Sequence, residues 1–271
     1  NHPDIVTVHD WGTDADEAFI IMEYVDGPSL AEILDESGAL DPDFAPAILF
    51  RNGPGEVYAL LMQPDGRVLV GGLFDYVNSQ PCPGLARLLP SGEVDPTFGR
   101  NLQIVGPTVQ VLSLASQADG RILAAGAFEQ INGFPRKGIA RFHSDGSLDL
   151  SLDFGRGASG GEFPVVYVVE PYAEAWLLLA GSFSTFDGLH RGNFVQTAAN
   201  TNTTCPSSCP TVARGTDAVI NALVEQRNGG VLLGGEFTRL GGYPRQGLAR
   251  LVPVASEFGC LRIELQAGTP V

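Results

Sequence analysis

A short phrase of glycine and phenylalanine recurs along the chain: GGLF closing at Phe74, GAF at Phe128, GSF at Phe183 and GEF at Phe237. The intervals are 54, 55 and 54 residues, and other positions keep the same beat. Asp41, Asp95 and Asp149 open DPDF, DPTF and DLSL; GLARL (84–88), GIARF (138–142) and GLARL (247–251) recur; Arg136, Arg191 and Arg245 share a position that Cys82 takes in the first copy. Agreement at several independent positions makes residues 41–252 four tandem copies of one unit. A period of this length means a stacked-repeat architecture.

Each copy reads as four short strands. VYALLMQ (57–63) has strand length, QPDGRV turns through Asp65-Gly66, and RVLVGGLF (67–74) reads as a buried strand whose glycines permit close backbone approach. A polar loop leads to LARLLP, a second turn at Ser91-Gly92 and a short edge segment, EVDPTF. One such sheet cannot bury both faces alone, so neighbours must stack, and radial stacking gives a propeller. The expected fold is all-β, a propeller-type array of four four-stranded repeats that need not complete a ring. Composition agrees: 34 Gly, 19 Pro and only 17% charged residues suit many short strands and tight turns.

The pattern VxALxxQPDGRVLVGGxF…GLARLxxxGxVDPTF resembles the delta-60 repeat, a bacterial β-propeller-like repeat, over about residues 41–252. The resemblance implies a propeller-type fold, often on large surface or secreted bacterial proteins, and an extracellular or cell-surface setting. It implies no established activity.

Residues 1–34, NHPDIVTVHDWGTDADEAFIIMEYVDGPSLAEIL, read differently. They resemble the N-lobe and hinge of a bacterial Ser/Thr protein kinase. The resemblance implies a small α/β fragment over 1–38, with strands in VTVHDWG and EAFIIMEY. It also implies Met22 at the gatekeeper position and backbone groups of Glu23 and Val25 facing an adenine ring. Ser29 to Glu32 form an S-x-x-E capping box. No Gly-rich loop and no V-A-I-K lysine stand before the fragment, no H-R-D catalytic loop follows it, and the letters D-F-G occur only at 153–155, inside the repeat array, where they make no kinase metal site. Phosphoryl transfer needs those parts together, so the fragment is expected to be a catalytically inactive relic. Residues 253–271 are expected to be a tail or the start of a further β module.

The third copy departs from the pattern: PYAEAW (171–176) replaces the PDG turn, FVQTAAN replaces the LAR segment, and a polar insertion carries CPSSC between Cys205 and Cys209. That loop could close a small disulfide or stay reduced. It could be a binding loop or drift in a degenerate copy. Asn202-Thr203-Thr204 matches a glycosylation acceptor, a signal too short to carry weight. The single histidines His2, His9, His143 and His190 show no metal-ligand spacing, so neither metal nor other cofactor is expected. Asp65 and Asp119 read as turn formers rather than calcium ligands. Arg87, Arg141 and Arg250 could line a channel, or pair with Asp95, Asp149 and carbonyls of neighbouring blades. Residues required by blade geometry must repeat, which favours the second account.

A formal net charge of −15 disfavours nucleic acid and anionic membrane as partners, and no apolar run is long enough to span a bilayer. The expected function is therefore a non-enzymatic module that binds a protein or glycan or supports a larger surface protein. Its open propeller edges would allow self-association. The alternative is an inactive kinase remnant fused to a propeller sensor region.

Overall fold

The computed structural model describes residues 8–14, 17–22, 44–51, 53–161, 163–173, 175–200, 215–253 and 261–263. Every regular element among them is a β-strand, and every pairing is antiparallel.

Four main sheets follow the repeat. The first comprises Glu56–Met62, Val68–Leu73 and Leu85–Leu88; the second Gln110–Ser116, Ile122–Ala127 and Ile139–Phe142. The third comprises Val165–Tyr172, Trp176–Ser182 and Phe194–Ala198. The fourth comprises Ile220–Glu225, Val231–Gly235 and Leu248–Pro253, with Leu261–Ile263 as an added edge strand.

The expected fourth strand is reduced in the first two copies to one bridge each, Leu88 with Val94 and Phe142 with Leu148. The reason is local. Asp95 Oδ1 accepts from the Thr97 amide and Asp149 Oδ1 from the Ser151 amide, which turns the chain away one residue after the bridge. A second, smaller sheet accompanies each main one, for example Ile104–Val105, Gln130–Ile131 and Phe134–Pro135. Its first strand comes from the segment linking one main sheet to the next, so the linkers are tied down.

The hairpin turns are as the sequence suggests, with one refinement. Gly66 donates to Gln63 O and Gly120 to Gln117 O, and it is the glycine, at φ +80° and +81°, that takes the left-handed conformation. Asp65 and Asp119 instead accept from the Arg67 and Arg121 amides at 3.1 and 3.0 Å.

Consecutive sheets are joined by apolar layers. Leu69 and Leu85 of the first meet Val111 and Ala124 of the second; Leu123 and Ile139 meet Val166 and Leu179 of the third. Leu178 and Phe194 then meet Ile220 and Leu233 of the fourth. The first strand of each later sheet presses on its predecessor. The first strand of all four sheets carries a register shift, at Val57/Ala59, Val111/Ser113, Val166/Val168 and Ile220/Ala222.

The glycine two residues before the phenylalanine of each recurrent phrase belongs to this bulge. A Cβ at Gly72, Gly126, Gly181 or Gly235 would lie 1.9–2.2 Å from the carbonyl oxygen of Glu56, Gln110, Val165 or Val219. Only glycine fits, in all four copies.

The strands Val8–Asp14 and Glu17–Met22 pair as a hairpin, with Val8 opposite Met22. Glu23, Val25 and the segment Ser29–Glu32 lie outside the described residues, as do Cys205, Cys209 and Cys260. No helix among the described residues is long and apolar enough to cross a membrane.

Gly126→Ala should lower the unfolding free energy by more than about 2 kcal/mol, since the bulge must open to admit a methyl group. Urea denaturation checks this; an unchanged midpoint would show that the bulge is not required.

Candidate functional site

The recurrent charged residues form clamps between sheets. Arg87 Nε donates to Asp95 Oδ2 at 2.9 Å, and its Nη1 crosses to the carbonyl of Ser144 in the second copy at 2.6 Å. Arg141 repeats the arrangement: Nε to Asp149 Oδ2 at 2.8 Å, and Nη1 to the Ala199 carbonyl in the third copy at 2.5 Å. Arg67 and Arg121 add a second cation to Asp95 and Asp149 at 3.4 and 3.1 Å.

Burial alone would raise both carboxyls. The hydroxyl and amide of Thr97 or Ser151, then Arg87 or Arg141, outweigh it and hold them below the usual carboxylate range. These arginines are thus structural, as their repetition suggests. In the third copy Gln196 takes the arginine position, and it is buried. Arg250 holds that position in the fourth copy and is exposed.

The position before this segment separates one copy from another. In the second copy Arg136 is buried. Its Nη1 donates to the Pro135 carbonyl at 2.7 Å and meets Asp153 Oδ1 at 3.3 Å, while Nη2 reaches the Leu152 carbonyl at 3.5 Å. In the first copy the residues at the positions of Arg136 and Asp153 are Cys82 and Gly99. Two long polar side chains are therefore replaced by short ones, and a cleft of ≈ 740 Å³ opens there. Cys82, Pro81, Phe98 and Gly99 line it, at the positions of Arg136, Pro135, Leu152 and Asp153.

Tyr76, Gln80, Arg100, Asn101 and Gln103 stand at the rim, all exposed. Asp75, also lining the cleft, accepts from the Arg51 amide at 3.0 Å. The Cys82 thiol is buried, and burial pushes its pKa up.

One further titratable group stands apart. Glu170, on the first strand of the third sheet, takes the position of Ala115 in the second and faces the fourth sheet. Burial, and then the charge of Glu225 on that sheet, push its pKa up to about 7. Burial raises Glu225 as well. Among the described residues no group of three or more His, Cys, Asp or Glu side chains could hold a metal ion.

Residues 63–98 and 117–152 match the model of a family described as a domain of unknown function (DUF5122) beta-propeller. Over these two spans the chain is β-propeller-like. The spans begin at the Gln of the first two hairpin turns and end at Phe98 and Leu152, and so cover the clamp residues of both copies.

No curated protein matches. Among solved structures, a protein of unknown function from Bacteroides caccae is similar at 14% identity and TM-score 0.40, covering 78% of this chain and 68% of that one. An α-L-arabinofuranosidase from Clostridium thermocellum is similar at 10% identity and TM-score 0.35, covering 78% and 72%.

Of the residues singled out from sequence for binding, Met22 ends a described strand, and Glu23 and Val25 cannot be placed beside it. The cleft was not foreseen as a site. Its signal was present in the sequence as a paired loss, Arg to Cys82 and Asp to Gly99, at two positions 17 residues apart.

Arg141→Met should cost about 3–5 kcal/mol, because the buried Asp149 keeps only the part-exposed Arg121 as a cation and the tie to the Ala199 carbonyl is lost. A loss below about 1 kcal/mol in urea denaturation would remove the clamp from the account. Glu170 has the opposite sign. Its folded pKa is raised, so its favourable contribution is complete below the unfolded value near 4.5 and fades as pH rises through about 7. Glu170→Gln should therefore gain up to about 3 kcal/mol over the wild type at pH 8 and little at pH 4. Unfolding curves at both pH values test this, and a gain equal at the two would contradict it.

Proposed function

We propose that the chain is a non-catalytic β-propeller-type module that binds a glycan in the cleft beside Cys82. The observation that carries this reading is the break in the repeat. The deepest charged residues of the first two copies are used in sheet-to-sheet clamps, whereas the cleft exists because one copy lacks the side chains that fill the same place in the next. A residue serving the fold must recur, and one serving a ligand need not.

The lining suits a sugar. An exposed tyrosine ring at Tyr76 offers a face for stacking, and the amides of Gln80, Asn101 and Gln103 with the Arg100 guanidinium offer fixed donors and acceptors. The propeller setting agrees with the sequence resemblance and with the family match, neither of which brings an activity with it. The reading of residues 1–38 as an inactive kinase relic stays a proposal based on sequence alone.

A second reading, a propeller hydrolase, is favoured by one observation: a carboxyl with pKa near 7, Glu170, facing another at Glu225. Both are half-buried on facing sheets, and that packing accounts for the raised pKa values without a substrate.

A glycan array followed by calorimetry with the best hit tests the proposal. The variant Cys82→Arg puts the second copy's guanidinium into the cleft and leaves Gly99, whose φ is +56°, unchanged. It should keep the fold and lose binding by at least about tenfold. Binding that survives the Cys82→Arg variant would move the ligand elsewhere. Turnover of an aryl glycoside that disappears in Glu170→Gln would favour the hydrolase.

A further inference from the structure

The two ends of the stack present complementary surfaces. Val111, Val166 and Ile220 occupy one repeat position on the first strands of the second, third and fourth sheets, and each is 0% exposed against the sheet before it. Val57 holds that position in the first sheet and is 43% exposed. Leu60 and Met62, which point the same way, are also exposed, while Val70 and Ala86 on that face are covered. The first strand, the element that makes the contact elsewhere, thus carries an apolar row open to solvent.

At the other end the receiving surface is open. Leu85, Ile139 and Phe194 are buried under the following sheet, whereas Leu248 at the same position is 40% exposed. The glycines beside it show the shape of what fits. A Cβ at Gly71 would lie 2.7 Å from Val111 Cγ1, and one at Gly138 2.9 Å from Val166 Cγ2. At Gly234, which corresponds to Gly71, nothing among the described residues lies within 4 Å, and Gly247, which corresponds to Gly138, meets among them only the Gly235 carbonyl at 3.3 Å. The hollow that a valine fills at the first two contacts takes no side chain of the described residues at the fourth sheet. Arg250 stands beside it, at the position from which Arg87 and Arg141 cross to the next sheet.

We infer that the fourth sheet of one molecule receives the first sheet of a second copy of this chain, Val57 entering the hollow at Gly234 and Gly247. The occupant is a second copy because the two surfaces reproduce the contact already made three times within the chain. The contact is head-to-tail. Two copies that satisfy both ends of each other form a ring of eight main sheets with two identical interfaces, within the size range of propellers. This inference does not depend on the glycan cleft, which lies on the outer part of the first sheet.

Sedimentation equilibrium of the full chain over a range of concentrations tests it. The wild type should approach twice the 28.6 kDa chain mass. Val57→Asp and Leu248→Glu place a charge in either half of the interface and should each weaken association by at least about tenfold. Both sites are solvent-exposed in the single chain, so circular dichroism should show an unchanged fold. Mixing the two variants leaves one intact pairing, Val57 of one with Leu248 of the other, and should restore a pair that neither forms alone. A monomer at every concentration would overturn the inference. So would a dimer that Leu248→Glu leaves intact, which would mean that two first sheets pair with each other, or assembly indifferent to both substitutions.

Discussion

A sheet of three short strands has two faces and too few residues to bury either by itself, so this chain is held together by what passes between sheets. The central contact is small. A β-branched side chain at Val111, Val166 or Ile220 presses on a position occupied by Gly71, Ala125 or Ala180 in the sheet before. The small residue is what lets the backbones approach, and the bulge beside it supplies the local twist. The apolar layers of all three internal interfaces grow outward from that point.

The arginine clamps are a second connection laid over the first. Each combines a buried ion pair within its own sheet with a single bond to a carbonyl in the next. A buried pair is weak evidence for net stability, because desolvation offsets much of the attraction. Its value here lies in register. A guanidinium that has to meet both an aspartate and one particular carbonyl fixes how far one sheet slides over its neighbour, which a layer of aliphatic side chains leaves loosely defined.

Much of this was legible in the sequence because the repeat offers internal comparisons. The interval of the GGLF-like phrase located the sheets, Asp-Gly located the turns, and the recurrence of Arg87 and Arg141 with Asp95 and Asp149 pointed to a structural role. The fourth strand was over-read. EVDPTF has strand composition, but Asp95 turns the chain with its side chain instead of extending it. The cleft was hard to see for a different reason. Cys82 was visibly unusual, yet the cavity also needs Gly99, and nothing in the sequence places those two residues side by side. Glu170 was equally hidden, since its burial depends on a sheet contributed by residues about fifty positions later.

The substitution of Gln196 for the arginine of the other copies divides the stack into two kinds of seam. The first two interfaces hold ionised aspartates whose pKa values lie below normal, and the stability they lend is lost as acid protonates them. The third holds Glu170, which the fold prefers in its neutral form. Acidification from alkaline pH therefore first tightens the last seam, as Glu170 takes up its proton, and loosens the early seams only below the ordinary aspartate value of 3.8. Between that value and the ordinary glutamate value of 4.5 every seam keeps its contribution. The stack has a weak seam that changes place with pH, and amide exchange followed sheet by sheet would show the less protected boundary moving along the array.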